Sequence, residues 1–101
     1  MRFLVTFHSV SSALLLETEA KERGLPCEII PVPRSLSSSC GYAAWVELQD
    51  SGAAVFPEGE AGEKAASARL LELLDALRVE WESVYLPEAE GRYKIIERNI
   101  G

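Results

Sequence analysis

Three observations in the sequence predict an α+β domain of the ferredoxin-like βαββαβ class. Short runs with period-2 alternation of apolar residues recur along the chain. Two segments carry an apolar stripe at helical spacing. The elements follow one another as strand, helix, strand, strand, helix, strand. This is the split βαβ pattern. Right-handed crossovers then predict an antiparallel sheet of order 4-1-3-2 with both helices on one face. With 101 residues the chain reads as a single domain, 1–101. Its core falls at about residues 2–87, with 88–101 as a tail or extra strand.

The first strand is read at residues 2–7, where Phe3, Val5 and Phe7 alternate with Arg2, Leu4 and Thr6. Ser9 offers an N-cap oxygen, and Gly24 sits where a helix C′ residue belongs. Between them Ala13, Leu14, Leu16 and Ala20 mark an amphipathic helix. A second strand, residues 27–32, is cut by Pro31 and Pro33, which places it at a sheet edge. Residues 42–48 form the third strand. Residues 49–62, rich in Gly, Asp, Ser and Glu, read as a surface loop with a short extended piece at Ala54–Phe56. Ala66, Leu70, Leu73, Leu74 and Leu77 then lie on one stripe of a second helix over 63–79. Residues 83–86 are the fourth strand. After a turn at Glu90–Gly91, residues 92–97 read as a fifth. The sheet face away from the helices, toward which Leu4 and Trp45 project, is left for solvent or for a partner, and a homodimer through it is one expectation.

Composition excludes several classes of function. Sixteen acidic against ten basic residues give a formal charge of -6. That is the wrong sign for neutralising nucleic-acid phosphates or for binding an anionic membrane surface. Apolar residues make up 48% of the chain, yet no run approaches the ~20 residues of a membrane span. The start of the chain lacks the long apolar stretch of a secretory leader, so a cytoplasmic protein is expected. Two cysteines, Cys27 and Cys40, with twelve residues between them, make neither a disulfide framework nor a zinc site. With His8 as the single histidine, no metal and no cofactor are expected. Paired catalytic carboxylates, a Ser–His–Asp set and a Gly-rich phosphate loop are all missing. An independent catalyst is therefore not expected, and a thiol redox reaction using Cys27 with Cys40 is the enzymatic variant left open.

One window is unlike scaffold. From Pro31 to Val46, sixteen residues carry a single charge, Arg34, together with Ser35, Ser37, Ser38, Ser39, Cys40 and Gly41. Loops on a rigid frame often carry function, and small hydroxyl residues with glycine let backbone N–H groups form an anion-binding nest. The same window also reads as a polar turn holding a half-buried cysteine. In a 4-1-3-2 sheet the end of the first strand lies beside the start of the third. That arrangement brings His8, Ser9 and the first helix's N-terminus toward Cys40. A helix N-terminus, a histidine and Arg34 all favour a thiolate, the nucleophilic form. Against this, His8 also reads as a solvated strand-end residue, and Arg34 as a partner for a carboxylate such as Glu17. Cys27 reads as a packed residue or as a second, resolving thiol.

The stretch LVTFHS near the start, Ala13 with Glu17, Gly24, and above all PVPRSLSSSCG at 31–41 resemble the Se/S carrier-like proteins. In that family strand, helix and strand lead into a Pro-x-Pro-Arg, Ser-Ser-x-Cys-Gly loop. The resemblance covers about residues 3–48, and more loosely the second helix and fourth strand. It implies that Cys40 carries sulfur or selenium as a persulfide or selenopersulfide. It further implies a pocket of Arg34, Ser37, Ser38, Ser39 and Gly41, and donor and acceptor proteins as partners. The chain departs from the family pattern in its acidic 49–62 loop and in the tail after Pro87. The alternative from a different class is an anion- or metabolite-binding or protein-interaction module in which Cys40 is incidental.

Overall fold

A computed structural model describes residues 2–36, 40–48 and 60–99. The elements are β1 (Arg2–Thr6), α1 (Val10–Glu22), β2 (Cys27–Pro31), β3 (Tyr42–Glu47), α2 (Glu60–Ala76), β4 (Ser83–Pro87), a 3₁₀ turn (Ala89–Gly91) and β5 (Tyr93–Arg98). They build an α+β domain whose five-stranded sheet has the order β2-β3-β1-β4-β5, with every neighbouring pair antiparallel. The expected sequence 4-1-3-2 runs through it from β4 to β2. The sheet departs from that four-strand plan because β5 pairs outside β4. The C-terminal segment is thus a strand, and β4 is an interior one.

Each element follows from local chemistry. Ser9 is the N-cap of α1: its backbone is extended and its Oγ accepts from the Ser12 N–H at 3.3 Å. At the other end Gly24 takes φ +67, the Leu25 N–H reaches the Ala20 carbonyl at 2.9 Å, and the Gly24 N–H reaches Lys21 at 3.2 Å. These are the two bonds of a Schellman motif. Helix α2 closes with the same pair, from Val79 to Leu74 and from Arg78 to Asp75, both at 3.0 Å. Here the left-handed position is filled by Arg78, at φ 57.

The helix boundaries differ from expectation at both ends of α2. The helix starts at Glu60 rather than 63, so Gly62, despite glycine's weak helix propensity, is a helical residue and is buried. It ends at Ala76 rather than 79, although Leu77 and Val79 stay buried, because the chain turns left-handed at Arg78. An apolar stripe reports burial, and burial continues past the last helical bond. The expected extended piece at Ala54–Phe56, and the 49–59 stretch around it, lie outside the described residues.

Phe3, Val5, Ala44, Val46 and Val84 point to one sheet face and join Ala13, Leu16, Ala66, Leu70 and Leu74 of the two helices in one core. Helix α1 packs over β2 and β3. Helix α2 reaches β5, where Lys94 Nζ meets Glu63 Oε2 at 3.0 Å. A bulge between Val84 and Tyr85 leaves Ile96 as the extra residue on β5, and Ile96 packs onto the same core.

The opposite face is less open than the alternation suggested. Leu4 and Thr6 were read as the less buried side of β1, yet both are 0% exposed. The row Trp45, Leu4, Tyr85, Ile95 crosses the sheet, and the Trp45 and Tyr93 rings approach to 6.2 Å. The Arg2 guanidinium stacks on Trp45 at 4.1 Å from the ring centre. Thr6 Oγ1 donates to the Ser83 carbonyl at 3.4 Å, which satisfies its buried hydroxyl. A central strand flanked by aromatic residues is buried on both faces.

The two C′ positions predict opposite responses. Replacing Arg78 by Gly should raise stability by about 1 kcal/mol, because a left-handed backbone costs an L-residue roughly that much. Gly24→Ala should lower stability by a similar ~1 kcal/mol through conformation alone, since an added Cβ there meets nothing within 4 Å. Urea unfolding of the two variants measures both; equal signs would contradict the assignment of the caps.

Candidate functional site

The β1–β3 register decides what surrounds Cys40. Thr6 pairs with Ala43, and Ala43 pairs with Ile30. The C-terminal ends of β1 and β2 and the start of β3 therefore share one end of the sheet. Ser83 pairs with Thr6, so β4 starts at that end too. Helix α1 begins there, after a three-residue link from β1. Cys40 lies two residues before Tyr42, and His8 lies two residues after Thr6.

The loop from β2 to β3 is closed at its neck by the Val32 N–H donating to the Gly41 carbonyl at 3.0 Å. Gly41 adopts φ +78, a left-handed conformation that favours glycine directly after Cys40. A tight turn follows the neck, with the Leu36 N–H on the Pro33 carbonyl at 3.0 Å. Pro33 supplies the accepting carbonyl, and Arg34 and Ser35 form the corner, both exposed. Ser37, Ser38 and Ser39 lie outside the described residues.

Cys40 is half-buried and its side chain packs against the edge of the core. Its Sγ–H donates to the Tyr42 carbonyl at 3.5 Å. Both cysteines are thiols, not a disulfide. The cysteine thus sits on the descending limb of a hairpin loop, directly before the left-handed Gly41.

His8 and Ser9 occupy the same end, and each has a structural partner. His8 Nδ1 lies 3.3 Å from Glu82 Oε2, and the Ser9 hydroxyl caps α1. Glu82 is the residue the sequence reading missed. It is anchored by its N–H to the Thr6 carbonyl at 2.7 Å and by its carbonyl to the Asn99 N–H at 3.0 Å. A Trp-Glu-Ser run before a strand carries no signal that separates it from the chain's other glutamates.

Cys27 belongs to the other end of the molecule. It pairs with Val46, whereas Pro31 pairs with Tyr42. Four residues of strand separate the two levels by roughly 13 Å. Cys40 lies farther still. A bridge within one chain needs Cα atoms within about 7 Å, so the resolving role considered for Cys27 is not served by this register. Burial pushes the Cys27 thiol up to about 11, with the nearby Glu17 carboxylate adding to the effect. Glu17 consequently belongs with Cys27 and not with Arg34 at the opposite end.

A small α+β domain that presents a cysteine on a hairpin loop, at the sheet end where a helix begins, is the class these features define. The chain belongs to the family described as "Putative Se/S carrier protein-like", whose model matches residues 2–55, just over half of the chain. The matched region takes in β1, α1, β2, the hairpin loop with Cys40, and β3. Comparisons with curated proteins and with solved structures give no significant match. No helix among the described residues is long and apolar enough to cross a membrane.

The raised Cys27 thiol has a definite sign. The folded state holds this proton up to about pH 11, whereas the ordinary thiol value is 9.0. Stability associated with Cys27 is therefore complete below pH 9 and declines as pH rises toward 11. Cys27→Ala should flatten that alkaline decline in chemical unfolding. Alkylation of native protein near pH 8, read by mass spectrometry, should leave Cys27 unmodified; rapid labelling there would contradict its placement.

Proposed function

We propose that this protein is a sulfur or selenium carrier in which Cys40 holds the chalcogen as a persulfide or selenopersulfide and relays it to an acceptor protein. Membership of the carrier family, through a match that spans the Cys40 loop, is the observation that carries this reading. The general role of a carrier follows from the family; the persulfide chemistry and the relay are our proposal.

The exchange conserves atoms and oxidation level. The Cys40 thiolate attacks the terminal sulfur of a donor persulfide, the donor S–S bond breaks, and a Cys40 persulfide forms. The proton lost by Cys40 ends on the departing donor thiolate. Release to the acceptor is the same displacement with the acceptor thiolate as nucleophile. The hydrogen bond from Cys40 to the Tyr42 carbonyl must be released first, since a thiolate has no proton to donate.

The roles of the neighbouring groups follow from their chemistry. Arg34 supplies a cation at the loop corner for the persulfide anion, and the N-terminal amides of α1 add a favourable dipole. Gly41 lets the chain reverse next to Cys40 without a side chain over the sulfur. Ser37, Ser38 and Ser39 are the proposed hydroxyl and amide donors to the persulfide. His8, held by Glu82, lies at the same sheet end as a proton acceptor. The protein acts without a cofactor, as a carrier in the cytoplasm that takes its chalcogen from one protein and gives it to another.

Incubation with glutathione persulfide followed by mass spectrometry tests the central step. The parent protein and Cys27→Ala should gain one sulfur atom at Cys40, and Cys40→Ala should gain none. Equal loading of Cys40→Ala and the parent would refute the carrier assignment. Arg34→Ala should load more slowly, by about tenfold if the cation contributes ~1.4 kcal/mol to the anionic transition state.

A further inference from the structure

Exposed apolar residues are unevenly placed. Among the described residues the large apolar side chains left 40% or more exposed are Val10, Leu14, Leu15, Tyr42 and Ile95. Four of these belong to the first half of α1 or to the first residue of β3, the elements that meet at the Cys40 end.

Helix geometry shows which of them face the cysteine loop. Glu17 acts on Cys27, so the flank of α1 that carries Glu17 looks toward β2. Val10 lies seven residues earlier on that stripe, about 10 Å nearer the helix N-terminus. β2 covers a similar distance from Cys27 to Pro31, roughly 13 Å. Val10 therefore stands over the mouth of the β2–β3 loop, with Leu14 one turn behind it. Tyr42, paired with Pro31, closes the other side, and its carbonyl holds the Cys40 thiol. Leu15 continues the apolar surface around the helix.

Charge singles out the same region. Residues 3–16 contain no Asp, Glu, Lys or Arg, and residues 31–46 contain Arg34 alone, in a chain with sixteen acidic side chains. Glu82, the acid described at this end, is engaged with His8. The start of α1 and the β2–β3 loop thus form an uncharged, apolar stretch in an acidic protein, with Arg34 as the cation of the loop. Arg98, paired with Ser83, is a second cation at that end of the sheet. An anionic partner group approaching the loop meets attraction from Arg34.

We propose that Val10 and Leu14 of α1 with Tyr42 of β3 form a transient docking surface around Cys40 for a protein that carries a cysteine persulfide. The proposal rests on the reading of Cys40 as a chalcogen carrier and adds the surface by which its donor is recognised. Its size argues for a short-lived encounter: a few half-exposed side chains fall well short of the ~800 Å² per partner of a stable complex. A relay needs such an encounter, because a carrier that binds its donor tightly cannot leave for an acceptor. The fitting partner displays its persulfide within an apolar surround, with an anionic group set to meet Arg34.

The test compares two donors to Cys40: glutathione persulfide, which needs no docking, and a purified cysteine desulfurase charged with L-cysteine, which does. Leu14→Glu should slow transfer from the protein donor about tenfold and leave loading from glutathione persulfide unchanged. Val10→Glu should do the same, and it keeps the fold secure because an acidic residue in the first helical turn is favourable. Ile95→Glu, on the far strand, should alter neither rate. Parental transfer from the protein donor in both α1 variants would overturn the docking surface. So would a parent that accepts sulfur no faster from the protein donor than from glutathione persulfide. Failure of both donors to load the parent would instead overturn the carrier reading, and the surface with it.

Discussion

The pairing of β1 with β3 is the constraint on which the rest of the structure depends. β1 is central, with Phe3 and Val5 in the helix-side core and Leu4 and Thr6 sealed on the other side. Burial on both faces makes its register costly to change, because a slip of one residue would exchange the two faces. Once Thr6 is set against Ala43, the start of α1 and the neck of the Cys40 hairpin must lie at the same end. The local arrangement around the cysteine is thus a consequence of core packing on the neighbouring strand.

That constraint also gives the molecule two chemically different ends. At one, Cys40 lies on a hairpin loop at the sheet end where α1 begins and where His8 meets Glu82. At the other, Cys27 is half-buried and raised by its surroundings. The two thiols share a residue type and little else. A hairpin whose strands are held in register by β2–β3 pairing keeps them at opposite ends of the sheet.

Much of this was legible along the chain, for identifiable reasons. The Ser9 cap and the Gly24 stop depend on groups within a few residues, and both stand where the sequence placed them. The PVPRSLSSSCG block was conspicuous because it nearly lacks charge, and the family match covers it. The aromatic cover over Leu4 was not legible, because Trp45 and Tyr93 come from strands far apart in sequence. Glu82 was missed for the same reason: its role depends on a contact with His8, seventy-four positions earlier. The outer position of β5 was open too, since a tail and an added strand share the same alternation.

The sequence by itself determined the element types, the caps, the apolar stripes and the unusual cysteine loop, because each is set by residues within a turn or two of one another. The tertiary structure alone decided which elements share the sheet end of Cys40, that Cys27 stands at the opposite end, and that Leu4 is covered. Those outcomes depend on strand register, and register is chosen by the burial of both faces of β1 at once, a property of the packed chain and of no single segment.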